Sequence, residues 1–236
     1  MKPDSEKRDF EPAASLKERL GLPFSNLHLL RRALTHRSFV NENPDALEDN
    51  ERLEFLGDAV LDFIVGAWVF NRFPEMPEGE LTKMRSALVK NDQLAVFARR
   101  LDLGRALRLG RGEHSSGGQR RDGLLGSVFE ALIGALYLDS GISAVEAFMT
   151  PLLEEARETI LNKLHDSKSQ LQEWAQGQKL GTPRYKVTAA SGPDHAKEFE
   201  VEVEIGGKAY GRGRGSSKHA AEQAAALDAL KNLGIE

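Results

Sequence analysis

The stretch LLGSVFEALIGALYL at residues 124–138 is apolar on nearly every face of a helix. A helix without a wet face belongs in the middle of a core, so the chain has to wrap other elements around it. At its centre stands one carboxylate, Glu130. A lone carboxylate in such surroundings is costly unless it is paired, protonated or bound to a metal. Gly126 and Gly134 fall nearly on one face of this helix and would let another helix approach closely. Taken alone, Glu130 also fits a buried ion pair with an arginine.

A second segment repeats the anomaly. In NERLEFLGDAVLD, residues 50–62, the acids Glu51, Glu54, Asp58 and Asp62 share an arc of roughly 80° at about 100° per residue. Such a stripe is ordinarily a solvated face. Here Glu54 and Asp58 are hemmed in by Leu53, Phe55, Leu56, Ala59 and Val60, and like charges one turn apart destabilise a helix unless something positive compensates. If this helix is the one that approaches Gly126 and Gly134, Glu130 meets Glu54 and Asp58. Three converging carboxylates make an oxygen-rich site suited to Mg²⁺, with Mn²⁺ as a substitute. Such ions activate water and stabilise a leaving oxygen in phosphoryl chemistry. His36, His114 and His165 have no neighbouring nucleophile or ligand pattern and read as surface or structural residues.

The chain has 236 residues, 40% hydrophobic and 29% charged, the composition of an ordinary globular protein with room for two small domains. It contains no cysteine, which excludes disulfides, thiol catalysis and cysteine-ligated metals and fits a cytoplasmic protein. No uninterrupted apolar run of about 18 residues occurs, and the first 14 residues are polar, so neither a membrane span nor a secretory leader is expected. Residues 1–14 read as a flexible arm and 15–165 as an all-α domain. Its helices are expected over 26–34 capped by Ser25, 50–71 capped by Asn50, and 78–89, 91–101, 122–138, 143–150 and 151–165. Beyond residue 166 the pattern changes. Glu198 to Ile205 alternate acid and apolar, a strand with one wet face, followed by a Gly206-Gly207 turn and a further strand at Ala209-Tyr210. Tyr185 and Val187 mark an earlier strand, and helices flank the three, the first capped by Ser167. Residues 166–236 therefore read as a small α+β domain in the order α-β-β-β-α.

Net charge is −4 overall, which looks wrong for a nucleic-acid binder. Divided by domain, residues 167–236 carry 10 Lys and Arg against 9 Asp and Glu, and the remainder carries 22 against 27. The smaller domain is near neutral, with basic residues gathered at Lys208, Arg212, Arg214 and Lys218. Gly211, Gly213 and Gly215 lead into its last helix, whose N-terminal amides and dipole favour a phosphate. Ala220, Ala221, Ala224, Ala225 and Leu227 read as that helix's packing face. An ordinary glycine turn with a solvated basic rim fits the same residues.

NERLEFLGDAVL at 50–61, LTHRSF at 34–39 and FEALIGALYLD at 129–139 resemble three sequence blocks of the ribonuclease III family, and residues 166–234 resemble a double-stranded-RNA-binding domain. The resemblance implies a cytoplasmic homodimer that cleaves both strands of duplex RNA. Its products would be 5′-phosphate and 3′-hydroxyl ends with a short 3′ overhang, and its substrates ribosomal and other RNA precursors. No small-molecule cofactor and no membrane are implied. Carried over by position, Glu54 is a metal ligand, Asp58 a catalytic carboxylate working through metal and water, and Glu130 the indispensable ligand of the catalytic metal. Glu51 and Glu78 match acidic positions nearby. Ser127 departs from the family's commonest pattern, which has an acid there. Its hydroxyl can ligate weakly or hold a water but supplies no charge, so an inactive duplex-RNA binder is the alternative. In the smaller domain, Gln170, Gln172, Glu173 and His195 match minor-groove positions, and Arg214, Ser217, Lys218 and His219 the phosphate side. Lys218-His219 stands where many relatives carry consecutive fixed cations, so the phosphate grip is expected to be lighter and dependent on pH.

Overall fold

The computed structural model describes residues 4–46, 48–164, 166–191 and 197–235. The chain divides into two compact units at Glu158/Thr159. The first is helical: α1 (Asp4–Leu20), α2 (Leu27–Ala33), α3 (Arg37–Glu42), α4 (Glu51–Arg72), α5 (Glu78–Val89), α6 (Asn91–Arg100), α7 (Arg111–Ser115), α8 (Asp122–Ser140) and α9 (Ile142–Leu164), the last running across the division. The second has α10 (Ser167–Gly177), β1 (Arg184–Ser191), β2 (Glu198–Ile205), β3 (Lys208–Gly215) and α11 (Lys218–Asn232).

As its composition demands, α8 is the core of the first unit. Leu125, Val128, Phe129, Leu132, Ile133 and Leu136 are all at most 1% exposed, and α4, α6 and α2 pack around it. Phe129 meets Phe97 of α6 and Phe148 of α9 at centroid distances of 5.6 and 6.4 Å. By length and composition alone α8 is apolar enough to cross a bilayer, although no uninterrupted apolar run marks it. Its surroundings here are the other helices of the core.

Several local expectations are corrected. The segment taken as an arm is helical from Asp4 onward; Ala13 and Leu16, buried, anchor that helix. Asn26, not Ser25, caps α2, its side chain accepting from the His28 amide at 3.0 Å. The Ser25 and Asn26 amides donate instead to the Asp139 carboxylate at the end of α8. Asn50 makes no side-chain cap; it donates to the Ala33 carbonyl and is buried. Residues 143–150 and 151–165 do not form two helices. Pro151 forgoes one amide bond inside α9, but Val145, Met149, Leu152, Leu153, Ala156 and Ile160 form one buried face on both sides of it and hold the helix together.

In the second unit the strands form an antiparallel sheet in the order β1-β2-β3. Gly206 and Gly207, at φ +58° and +83°, close the two-residue β2–β3 turn, a conformation that favours glycine. Val201, Val203 and Ile205 are buried with Leu171, Ala175, Ala221, Ala225, Ala226, Ala229 and Leu230. Asp166, not Ser167, caps α10, accepting from the Lys168 and Ser169 amides. The carboxylate has the better geometry because it precedes the helix, and it also accepts from Gln223 of α11 at 2.7 Å. The glycines of β3 have a role not expected from their sequence. A Cβ on Gly211, Gly213 or Gly215 would collide with the backbone of α11 at Ala229, Ala225 or Ala221. They let α11 lie directly on the sheet, and Ala220 and Leu227, expected in the packing face, point outward.

Candidate active site

Two glycines bring α4 and α8 together. A Cβ on Gly57 would overlap the Glu130 carbonyl, and one on Gly134 would overlap the Leu53 carbonyl. Gly134 thus performs the close approach expected of it, whereas Gly126 faces the Asn91 side chain. At this separation Glu130 of α8 lies under the electrostatic influence of Glu54 and Asp58 of α4. Burial, then Glu54, then Asp58, push the Glu130 carboxyl up to about 7 from its ordinary 4.5. Ser127, one turn before Glu130, donates its hydroxyl to Glu54 Oε1 at 2.9 Å.

Glu54, Ser127 and Glu130 are half-buried, while Asp58 is exposed. Glu51 is exposed and paired with Arg37 at 3.2 Å. Glu78 starts α5, where it accepts from Thr82; no contact joins it to the cluster among the described residues. The donor atoms are all oxygens, and the excess negative charge is what a hard divalent cation would offset. Among the described residues, no three acidic or histidine side chains are drawn tightly enough around one point to form a finished metal cage.

A groove of about 470 Å³ opens against this cluster, its wall including Glu54 and Ser127 together with His36, Arg37, Asn50 and Arg121. Asp58 and Glu130 do not line it. The two arginines were not anticipated as site residues; Arg37 in LTHRSF was the available signal. His36 is structural, as expected: its ring accepts from the Ser38 amide and caps α3. His114 is exposed in α7, and His165 lies outside the described residues.

On the second unit, Gln172 and Glu173 are exposed on α10 and Gln170 is half-buried. Ser217 caps α11 by accepting from the Ala220 amide at 3.1 Å, next to exposed Lys218 and His219. Arg214 is elsewhere. It pairs with Glu200 on the sheet face away from α11, beside the Arg212–Glu202 pair, because the intervening glycines face the helix. His195 lies outside the described residues.

Comparison with known proteins accords with this arrangement. The Ribonuclease-III-like family profile matches residues 26–156, and the double-stranded RNA binding motif matches 167–233. Ribonuclease 3 of Roseiflexus sp. (strain RS-1) is 48% identical over 223 residues, covering 92% of this chain and 94% of its own. Ribonuclease 3 of Anoxybacillus flavithermus is 47% identical over 231 residues, 97% of each. The crystal structure of the nuclease domain of ribonuclease III from Campylobacter jejuni superposes with a TM-score of 0.55 at 38% identity, covering 61% of this chain and 95% of that one. Fold and matches together define an endoribonuclease whose helical catalytic domain is followed by a duplex-RNA-binding domain. The chain belongs to the ribonuclease III family.

Proposed function

We propose that this chain is a homodimeric, cytoplasmic, metal-dependent endoribonuclease. It cuts double-stranded RNA, ribosomal and other precursors included, to leave 5′-phosphate and 3′-hydroxyl ends. The observation that carries the reading is the convergence of Glu54, Asp58 and Glu130: burial, then repulsion from Glu54 and Asp58, lifts the Glu130 carboxyl to about 7. Glu54, Asp58 and Glu130 would hold Mg²⁺ or Mn²⁺, with Ser127 beside them. When bound, the ion supplies activated water and stabilisation of the leaving oxygen. Asp58, exposed one turn on from Glu54, would accept a proton from the attacking water. Glu130 and Glu54, half-buried, anchor the centre. On the second domain, Gln172 and Glu173 face the shallow minor groove, and Lys218 and His219, at the start of α11, approach phosphates.

The dimer reading rests on α4. Phe55, Phe63 and Phe70 are 80%, 63% and 69% exposed, and they share an arc of roughly 80° next to the acidic stripe. An aromatic stripe of that kind marks an interaction face. A second copy covering it would set the two acidic centres on either side of the twofold axis. The nuclease domain of ribonuclease III from Campylobacter jejuni, 38% identical, shows structural flexibility in a region involved in dimer formation.

Incubating the chain with a labelled RNA duplex of a few turns, in Mg²⁺ or EDTA, tests the reading, with single-stranded RNA and a DNA duplex as controls. Metal-dependent, duplex-specific cuts with 5′-phosphate ends are expected. Binding without cleavage in both Mg²⁺ and Mn²⁺ would instead favour a duplex-RNA binder, the reading that Ser127 supports.

A further inference from the structure

The hydrogen bond from Ser127 Oγ to Glu54 Oε1, 2.9 Å, crosses from α8 to α4 at the place where the two backbones are locked by Gly57 and Gly134. We propose that Ser127 is a positioning residue that acts through Glu54: it fixes that carboxylate toward α8 and does not substitute for an acidic ligand. The inference rests on the metal-site reading above.

Glutamate loses considerable rotamer freedom when it is held in one pose. A hydroxyl donating to an ionised carboxylate is among the stronger neutral-to-charged hydrogen bonds, and the fixed α4–α8 spacing gives it one place to point. Serine has a single hydroxyl proton, and here it is committed to Glu54. Its lone pairs are left on the wall of the groove, which Glu54 and Ser127 share. An acid at position 127 would place two like charges at hydrogen-bond distance before any ion arrived. Serine reverses that interaction: the donor attracts Glu54 where an acid would repel it. The centre is thereby ordered in advance with one charge fewer.

The test uses the full-length chain and Mn²⁺ alone, without RNA, with free Mn²⁺ read by electron paramagnetic resonance at one pH and ionic strength. Ser127→Ala is expected to weaken Mn²⁺ binding about tenfold, the worth of one hydrogen bond to a charged group. Ser127→Thr, which keeps the hydroxyl, is expected to stay within about threefold of the unaltered chain. In a Glu54→Asp background, whose carboxylate is too short to reach the hydroxyl, Ser127→Ala is expected to cost nothing further. An equal, additive loss in that background would show that Ser127 touches the ion itself and would overturn the proposal. So would wild-type affinity in Ser127→Ala, or a Ser127→Thr chain as weak as Ser127→Ala. Glu130→Gln separates the two levels of argument. If it leaves Mn²⁺ binding intact, the metal-site reading falls, and the role of Ser127 with it. If Glu130→Gln abolishes binding while Ser127→Ala does not weaken it, only the positioning role fails.

Discussion

Gly57 of α4 and Glu130 of α8 meet backbone to backbone, with no room for a Cβ between them. The contact that closes the core is thus also the one that sets the acidic side chains against each other. Gly57→Ala would force the two helices apart, and neither partner atom is a flexible side-chain end that could yield. A loss of about 3 kcal/mol is expected, read as a lowered urea midpoint, together with loss of metal-dependent cleavage. Gly79→Ala, at a helical glycine with open space around it, should change stability by no more than about 1 kcal/mol. Equal behaviour of the two variants would show that the α4–α8 contact tolerates expansion.

Glu130 gives a pH dependence of definite sign. The folded chain keeps this proton up to about pH 7, whereas the unfolded chain releases it near 4.5. The penalty of the ionised carboxylate is therefore absent below 4.5, grows as pH rises, and is complete above about 7. In EDTA, Glu130→Gln should stabilise the fold at pH 8 by about 1–2 kcal/mol, a figure reduced for the solvent screening of a half-buried group. Near pH 4.5 it should have little effect. Chemical denaturation at the two pH values decides this. Cleavage by the same variant should fall on the order of a thousandfold while duplex binding persists.

If α4 forms the proposed dimer interface, Phe55→Asp should leave the chain monomeric, measured by sedimentation equilibrium at micromolar concentration. Because Phe55 is 80% exposed on its own chain, the monomer's stability should change by no more than about 0.5 kcal/mol. Persistence of the dimer would move the interface away from the aromatic stripe of α4.

Asp166 joins two helices of the RNA-binding domain, capping α10 and accepting from Gln223 of α11. Burial raises its carboxyl, but the bonds from Gln223, Ser169 and Lys168 outweigh that and hold it below the usual range. The stabilisation is therefore present above the ordinary carboxylate range and fades as pH falls below it. At neutral pH, Asp166→Ala should cost about 1 kcal/mol, whereas Asp166→Asn should lose less. Hydrogen exchange at the first turn of α10 would show it; unchanged protection in the alanine variant would discount the cap.

The parts of the fold that were legible in the sequence are those where one period dominates. EFEVEVEI could only be a strand with one wet face, and the all-apolar surround of Glu130 could only be a central helix. The approach of another helix at Gly134 was legible from its lack of a Cβ, and its partner, α4, was read only conditionally from the acids that the two helices share. Other features depend on alternatives of nearly equal local energy. Ser25 and Asn26 are both good caps, and the choice was decided by Asp139, remote in sequence. Pro151 reads as a helix end, yet the shared buried face of α9 carries the helix past it. Gly211, Gly213 and Gly215 read as the approach to a phosphate-favouring helix start or as an ordinary turn, because the alanine backbone they admit is visible only once α11 is folded back. Ser127 was legible as a departure from pattern, but its bond to Glu54 depends on the rotation of one helix against another.

The outer face of the sheet carries a consequence for association with a polyanion. Lys186, Arg212 and Arg214 each face a glutamate of β2, namely Glu204, Glu202 and Glu200. Cations already matched by fixed anions gather no phosphate and expel few counterions when a duplex arrives. Receptivity of this face is thereby reduced. The domain's grip should fade with ionic strength less steeply than the 10 basic residues of 167–236 imply. A near-neutral domain can in this way remain attached to RNA in salt that would strip a more basic one.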